Sequence, residues 1–159
     1  MRIAAAGCAL LLLVSGAAAA APPSATWSAD RAIFTAEVAL KKWVRYRGST
    51  AFWTPSLSDA LALEKALPDY LRRHLSRQDR LASDKKEPLW ERAKRSKRQY
   101  VGVHLEGRRI VYANLFCEAF GSDWRSERVD VDDGGDCYFQ VEYDVDKATF
   151  ANLMVNGGA

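Results

Sequence analysis

Histidine and cysteine are scarce in this 159-residue chain, which holds two histidines, His74 and His104, and three cysteines, Cys8, Cys117 and Cys137. No C-x-x-C or H-x-x-x-H spacing occurs among them. The material for a structural zinc site is therefore missing. The chain also lacks a G-x-S-x-G nucleophile elbow and any glycine-rich loop ahead of a helix in phosphate-binding order. It thus shows no positive mark of acyl transfer or nucleotide binding. Long apolar runs are absent too. The longest near the start, Ala9–Val14 (ALLLLV), falls far short of the ~20 residues that a membrane helix needs.

That short run has another reading. Met1-Arg2 is a positive start, ALLLLV an apolar middle and Ser15–Ala21 a small-residue tail. Together they read as a secretory signal peptide over residues 1–20, cut after Ala20 with Ala18 and Ala20 as the small pair. Cys8 precedes the apolar run instead of following it, which argues against a lipidation site. The mature chain, 21–159, is then periplasmic or secreted, has no transmembrane segment and is of single-domain length. In an oxidising compartment its two thiols, Cys117 and Cys137, are expected to pair. Closing that loop contributes roughly 3 kcal/mol in the chain-entropy model.

Charge is split along the sequence. Leu71–Arg98 holds eleven Lys/Arg against four acids, whereas Gln99–Ala159 holds five against eleven. The basic run supplies a candidate partner-binding segment, Arg72, Arg73, Arg77, Arg92, Lys94, Arg95, Lys97 and Arg98, for a protein or an anionic envelope surface. The plainer reading is a solvated face, or two halves that attract each other. Export argues against nucleic acid as the partner.

The periodicity divides the chain into helices followed by strands. Asp30–Val44 fits a helix, with Glu37 and Lys41 four apart, but Phe34, Ala36, Val38 and Leu40 also alternate as a strand would. Phe52–Leu75 is helical, with Thr54 as cap, Pro55 in the first turn and Phe52-Trp53 as a packing staple. Its apolar face is Leu57, Leu61, Leu63, Leu67 and Leu71, its wet side holds Asp59, Glu64 and Lys65, and Pro68 should kink or divide it. Pro88-Leu89-Trp90 starts a further turn. From Gln99 the period becomes two. Tyr100–Leu105 and Arg109–Cys117 flank a Glu106-Gly107 hairpin loop, Val129–Asp132 and Asp136–Asp144 flank Asp133-Gly134-Gly135, and Thr149–Val155 is a last strand. The expectation is a single α+β domain: N-terminal helices (about 30–98) on one face of an antiparallel sheet of about five strands (about 99–156), clipped by one disulfide.

The acidic stretch Val129–Asp146 invites a calcium reading, but EF-hand spacing from Asp130 misses two ligands, and the loop lies between strands. A looser site on Asp132, Asp133 and Asp136 is the remaining metal candidate. The alternative is a tight turn in which aspartates bond their own backbone. No cofactor is expected. For chemistry the only candidates are His104, Tyr112 and an acid from Asp130–Asp136, serving a small periplasmic hydrolase with a cleft between helix and sheet.

The runs FWTPS…LALEKALPDYL, QYVGV…GRRIVYANLFC, DGGDCYFQVEYD and FANLMVNGGA resemble small exported bacterial proteins of unassigned function over roughly residues 52–159. The resemblance implies export and a shared fold, and carries over no catalytic residue. A helix across a short antiparallel sheet is also similar to cystatin-like folds, which serve as inhibitors, binding modules and small enzymes, so fold alone does not select a function. The leading expectation is an exported, non-enzymatic binding or accessory protein of the bacterial envelope, with inhibition as one mode. Its alternatives are the small hydrolase and a calcium-stabilised structural module. The sequence leaves the oligomeric state open.

Overall fold

The computed structural model describes residues 25–43, 45–75, 87–121 and 123–157. The expected leader, Arg77 and most of the polar stretch after Leu75 lie outside the described residues. The elements in order are β1 (Ala25–Ser28), β2 (Arg31–Ile33), α1 (Ala36–Lys42), β3 (Phe52–Trp53), α2 (Leu57–His74), α3 (Leu89–Arg92), β4 (Lys97–Leu105), β5 (Arg108–Phe116), β6 (Tyr138–Asp144) and β7 (Thr149–Val155). The class is α+β, as expected, with one disulfide between Cys117 and Cys137.

All seven strands join one sheet in the order β1-β2-β4-β5-β6-β7, and β3 also pairs with β4. The meander β4–β7 is antiparallel, as the period of two predicted. The β4–β5 hairpin turns at Glu106-Gly107, both in the left-handed region that such loops require (φ 51° and 76°). The sheet is larger than expected and mixed, because β2 runs parallel to β4 while β3 runs antiparallel to it further along. The segment around 30–47 holds the short strand β2 and then helix α1; Ala36, Val38 and Leu40, which alternate as a strand would, lie in the helix. Phe52-Trp53 is a strand rather than a staple. Trp53 lies over Gly102, where a Cβ would come within 2.7 Å of its ring.

Helix α2 starts two residues later than the cap expectation. Ser56 is the N-cap, its hydroxyl accepting from Asp59 N–H (3.2 Å) while Asp59 accepts from Ser56 N–H (2.8 Å). Thr54 instead accepts from Ala36 N–H, tying α1 to this corner. Helix α2 continues through Pro68 as one element. Its buried residues Ala60, Leu63, Leu67, Tyr70 and Leu71 pack on Tyr100, Val111, Ala113, Leu115, Phe139, Val141 and Tyr143, one face of β4–β6. Leu61, assigned to the apolar face, is 46% exposed. The helices do not share one face. Helix α1 lies on the opposite side, where Phe34, Ala39 and Trp43 pack with Val101, Tyr112, Phe116, Trp124 and Tyr138. No helix among the described residues is long and apolar enough to cross a membrane.

Candidate functional site

The sheet end that carries the disulfide is organised by amides. Gln99, Asn114 and Gln140 stand in register across β4, β5 and β6, opposite in phase to the α2-facing residues. The Gln99 amide donates to the Trp124 and Glu127 carbonyls (both 2.6 Å) and accepts from Val129 N–H (3.1 Å). Asn114 donates to the Val129 carbonyl (2.8 Å) and to Gln99 (3.2 Å). Gln140 donates to Asn114 (3.3 Å), and Asn156 donates to the Val131 carbonyl. Residues 123–131 are thereby fixed by side chains reaching their backbone. This corrects the expectation of a strand at Val129–Asp132: the Val129 N–H and carbonyl and the Val131 carbonyl are taken by side-chain amides instead of a ladder partner. The disulfide lies just past the β5–β6 pairing, with Cα atoms 5.3 Å apart and Cys117 N–H donating to the Cys137 carbonyl (3.1 Å). It clips a strand end to its neighbour.

The acidic residues of this region do not gather. Asp132 and Asp133 are exposed, whereas Asp136 is held by the Arg92 guanidinium. No group of three or more His, Cys, Asp or Glu capable of holding a metal occurs among the described residues.

The residues considered for catalysis do not converge either. His104 is exposed on the α2 side of β4, its ring 6.4 Å from Trp53, and it lines a cavity of about 270 Å³ at the β4–β5 hairpin with Arg47, Ser49, Leu105, Glu106 and Arg108. Tyr112 is buried on the opposite face, with Tyr46 stacked against it at 4.8 Å. Burial pushes the Tyr112 phenol up to about 12, a shift opposed by Arg128 and aided by Asp130 and Glu142.

Two buried carboxylates that the sequence did not single out form the strongest polar centres. Glu64, placed on the wet side of α2 by the helical pattern, is only 12% exposed. It accepts from Arg31 Nε and Nη2 (2.5 and 2.7 Å), from Tyr100 O–H (2.7 Å) and from Arg98 Nη1 (2.8 Å). Burial works against its ionised form. The bonds from Arg31 and Tyr100 and the charge of Arg98 outweigh burial and hold the carboxyl below its ordinary value. Glu142, on the other face, accepts from Tyr46 O–H (2.9 Å), twice from Arg47 Nη1 (3.0 Å each) and from Asn152 Nδ2 (2.6 Å). Burial, and then the charge of Glu142, push the Tyr46 phenol up. Arg47 and Asn152 both have left-handed backbones (φ 47° and 48°), and a bulge in β7 re-aims Asn152 at the carboxylate. A carboxylate has about four lone-pair positions. With four donor contacts each, Glu64 and Glu142 have these positions occupied by internal donors.

The basic segment is dispersed by the same pairings. Arg98 is 6% exposed and bonds the Ser96, Ala93 and Lys94 carbonyls as well as Glu64. Arg92 is likewise taken inward by Asp136. Lys94 pairs with Glu91, Arg95 with Glu87 and Arg72 with Asp69. Arg73 is exposed and Lys97 half-buried. Among the described residues of the run, Arg92 and Arg98 are thus drawn inward, whereas Arg72, Arg73, Lys94 and Arg95 stay exposed.

The disulfide end of the sheet exposes large apolar side chains. Phe120 is 72% exposed, and its ring stacks 6.4 Å from Tyr138 at the start of β6. Met154 and Val155, 48% and 39% exposed, end β7 beside Gln140 and Phe139. All three stand at the disulfide end of the sheet. Against known proteins, the chain matches no family model, no curated protein and no solved structure. The cystatin comparison accordingly extends no further than a helix lying across a sheet.

Proposed function

We propose that the mature chain is an exported, non-enzymatic binding or accessory protein of the bacterial envelope, with inhibition of a partner as one mode of action. One observation carries this reading. Glu64 and Glu142 are each engaged by four internal donor contacts, and His104 and Tyr112 lie on opposite faces of the sheet, while large apolar side chains stand in solvent at one end. An active site would bring such groups together around a cavity and leave at least one able to exchange a proton. A disulfide suits the oxidising compartment that the leader sequence implies.

The test has two parts. Cell fractionation with N-terminal sequencing should find the mature chain outside the cytoplasm, beginning at Ala21. The mature protein, used as bait in envelope extract at low salt, should capture a partner that mass spectrometry identifies, and the two purified proteins should then bind each other. Capture of nothing above background would sink the binding reading.

A further inference from the structure

Among the described residues the outer edge of β7 has no strand partner: β7 pairs with β6 and is the last strand in the sheet. Alternate backbone N–H and C=O groups of such an edge lack partners, so it is a template for an added strand. Natural edges are usually protected by lysine, by proline or by inward charges. β7 (TFANLMV) has no charged residue and no proline. Its one protective device is the bulge at Asn152, and beyond it Leu153–Val155 continue as regular strand with Met154 and Val155 exposed. Phe120 extends this apolar surface past the strand end.

The rim is acidic. Asp133 bridges Gly157 just beyond β7, and Gly135 N–H donates to the Gly157 carbonyl (2.8 Å), which fixes Asp132 and Asp133 beside the end of the edge. Glu118 adjoins it, its carbonyl accepting from Tyr138 O–H. Glu118, Asp132 and Asp133 are exposed and make no ion pair among the described residues.

Resting on the binding reading above, we infer that this edge receives an extended segment of a partner protein with alternating apolar residues and lysines or arginines, which adds to β7 as a further strand. The backbone edge sets its extended shape, Met154 and Phe120, on the face of Gln140 and Tyr138, receive its apolar side chains, and Glu118, Asp132 and Asp133 meet its cations. A second copy of this chain fits less well, since the half that bears β7 carries eleven acids against five bases.

The probe is a synthetic peptide of about nine residues, a strand's length, alternating valine with lysine. A second peptide carries glutamate for lysine. Binding to the mature, disulfide-intact chain is read by NMR shifts and amide exchange. The expected result is that the lysine peptide slows exchange of β7 amides, that its affinity falls with salt and that the glutamate peptide binds at least tenfold more weakly. Phe120→Ser with Met154→Thr, and separately Asp132→Asn with Asp133→Asn, should each weaken binding about tenfold, or ~1.4 kcal/mol. These side chains are exposed, so unchanged melting would show that the fold is intact. Equal affinity for both peptides, shifts confined to other elements, or no binding at millimolar peptide overturns the inference. So does sedimentation showing a dimer that the Phe120/Met154 variant dissolves, which would assign the edge to a second copy. If envelope capture yields a partner whose contacts map elsewhere, the docking inference fails while the binding function stands.

Discussion

Replacing Glu64 by glutamine tests the polar organisation of the α2 face. The substitution preserves size but removes the charge and one acceptor. Arg98, 6% exposed and enclosed by the Ser96, Ala93 and Lys94 carbonyls, then loses the counter-ion it has here. Removing one member of a buried pair costs about 3–5 kcal/mol. Arg31 is 30% exposed and can turn to water, which favours the lower end, about 3 kcal/mol. For a domain of this size that is roughly a 10 °C fall in Tm. Urea and thermal unfolding of the disulfide-intact protein measure it. Glu37→Gln is the control, because its bond to Lys41 lies in solvent and such pairs contribute little. The pH dependence supplies an independent check. Because the folded-state value of Glu64 lies below the unfolded one, its contribution is complete above about pH 4.3 and is lost as pH falls through the folded value. Wild type should therefore lose stability more steeply than Glu64→Gln in acid, and the two curves should approach each other. If Glu64→Gln and Glu37→Gln unfold alike at neutral pH, the account of this network is wrong.

Gly102→Ala places a Cβ against the Trp53 carbonyl and ring, and overpacking of this kind costs about 1–3 kcal/mol; an unchanged urea midpoint would show that β3 moves freely. Cys117→Ser with Cys137→Ser should lower stability by roughly 3 kcal/mol, and reduction of the wild type should match it. Gln99→Leu leaves the Trp124 and Glu127 carbonyls and the Val129 N–H without their partners, at about 1–3 kcal/mol for each group left unmet. Amide exchange at Val129 should accelerate before that of the β4–β5 ladder, and uniform acceleration would refute a local role for the amides. Millimolar calcium should leave Tm unchanged, because Asp136 is engaged by Arg92; a rise in Tm would return the aspartates to a metal role.

The meander β4–β7 was legible because its apolar residues alternate on a face buried under one long helix, so period two survives in the sequence. The disulfide followed from the expected oxidising compartment. What the sequence concealed depends on contacts between distant residues. Glu64 falls on the solvent side of an isolated α2, and only the arrival of β2 with Arg31 and β4 with Arg98 encloses it. That arrival also removes Arg98 from the basic segment that composition had counted as surface. Val129 and Val131 alternate with aspartates as a strand would, yet amides three strands apart take up their backbone. A faint signal was present: Gln99, Asn114 and Gln140 each interrupt an apolar strand on its other face. The exposed corner at Phe120 carried no mark, since a lone phenylalanine in a polar stretch reads as core.

The amide ladder grips main chain and not side chain. Gln99, Asn114 and Asn156 hold carbonyls and an N–H between Trp124 and Val131, groups that every residue except proline supplies in full. The exposed side chains of that stretch are not what fixes its path over the sheet, although Glu127 pairs with Lys42 and Arg128 with Asp130. The segment works as a display loop on a rigid frame, a place where relatives could diverge in specificity, or a designer could graft one, without rebuilding the core beneath.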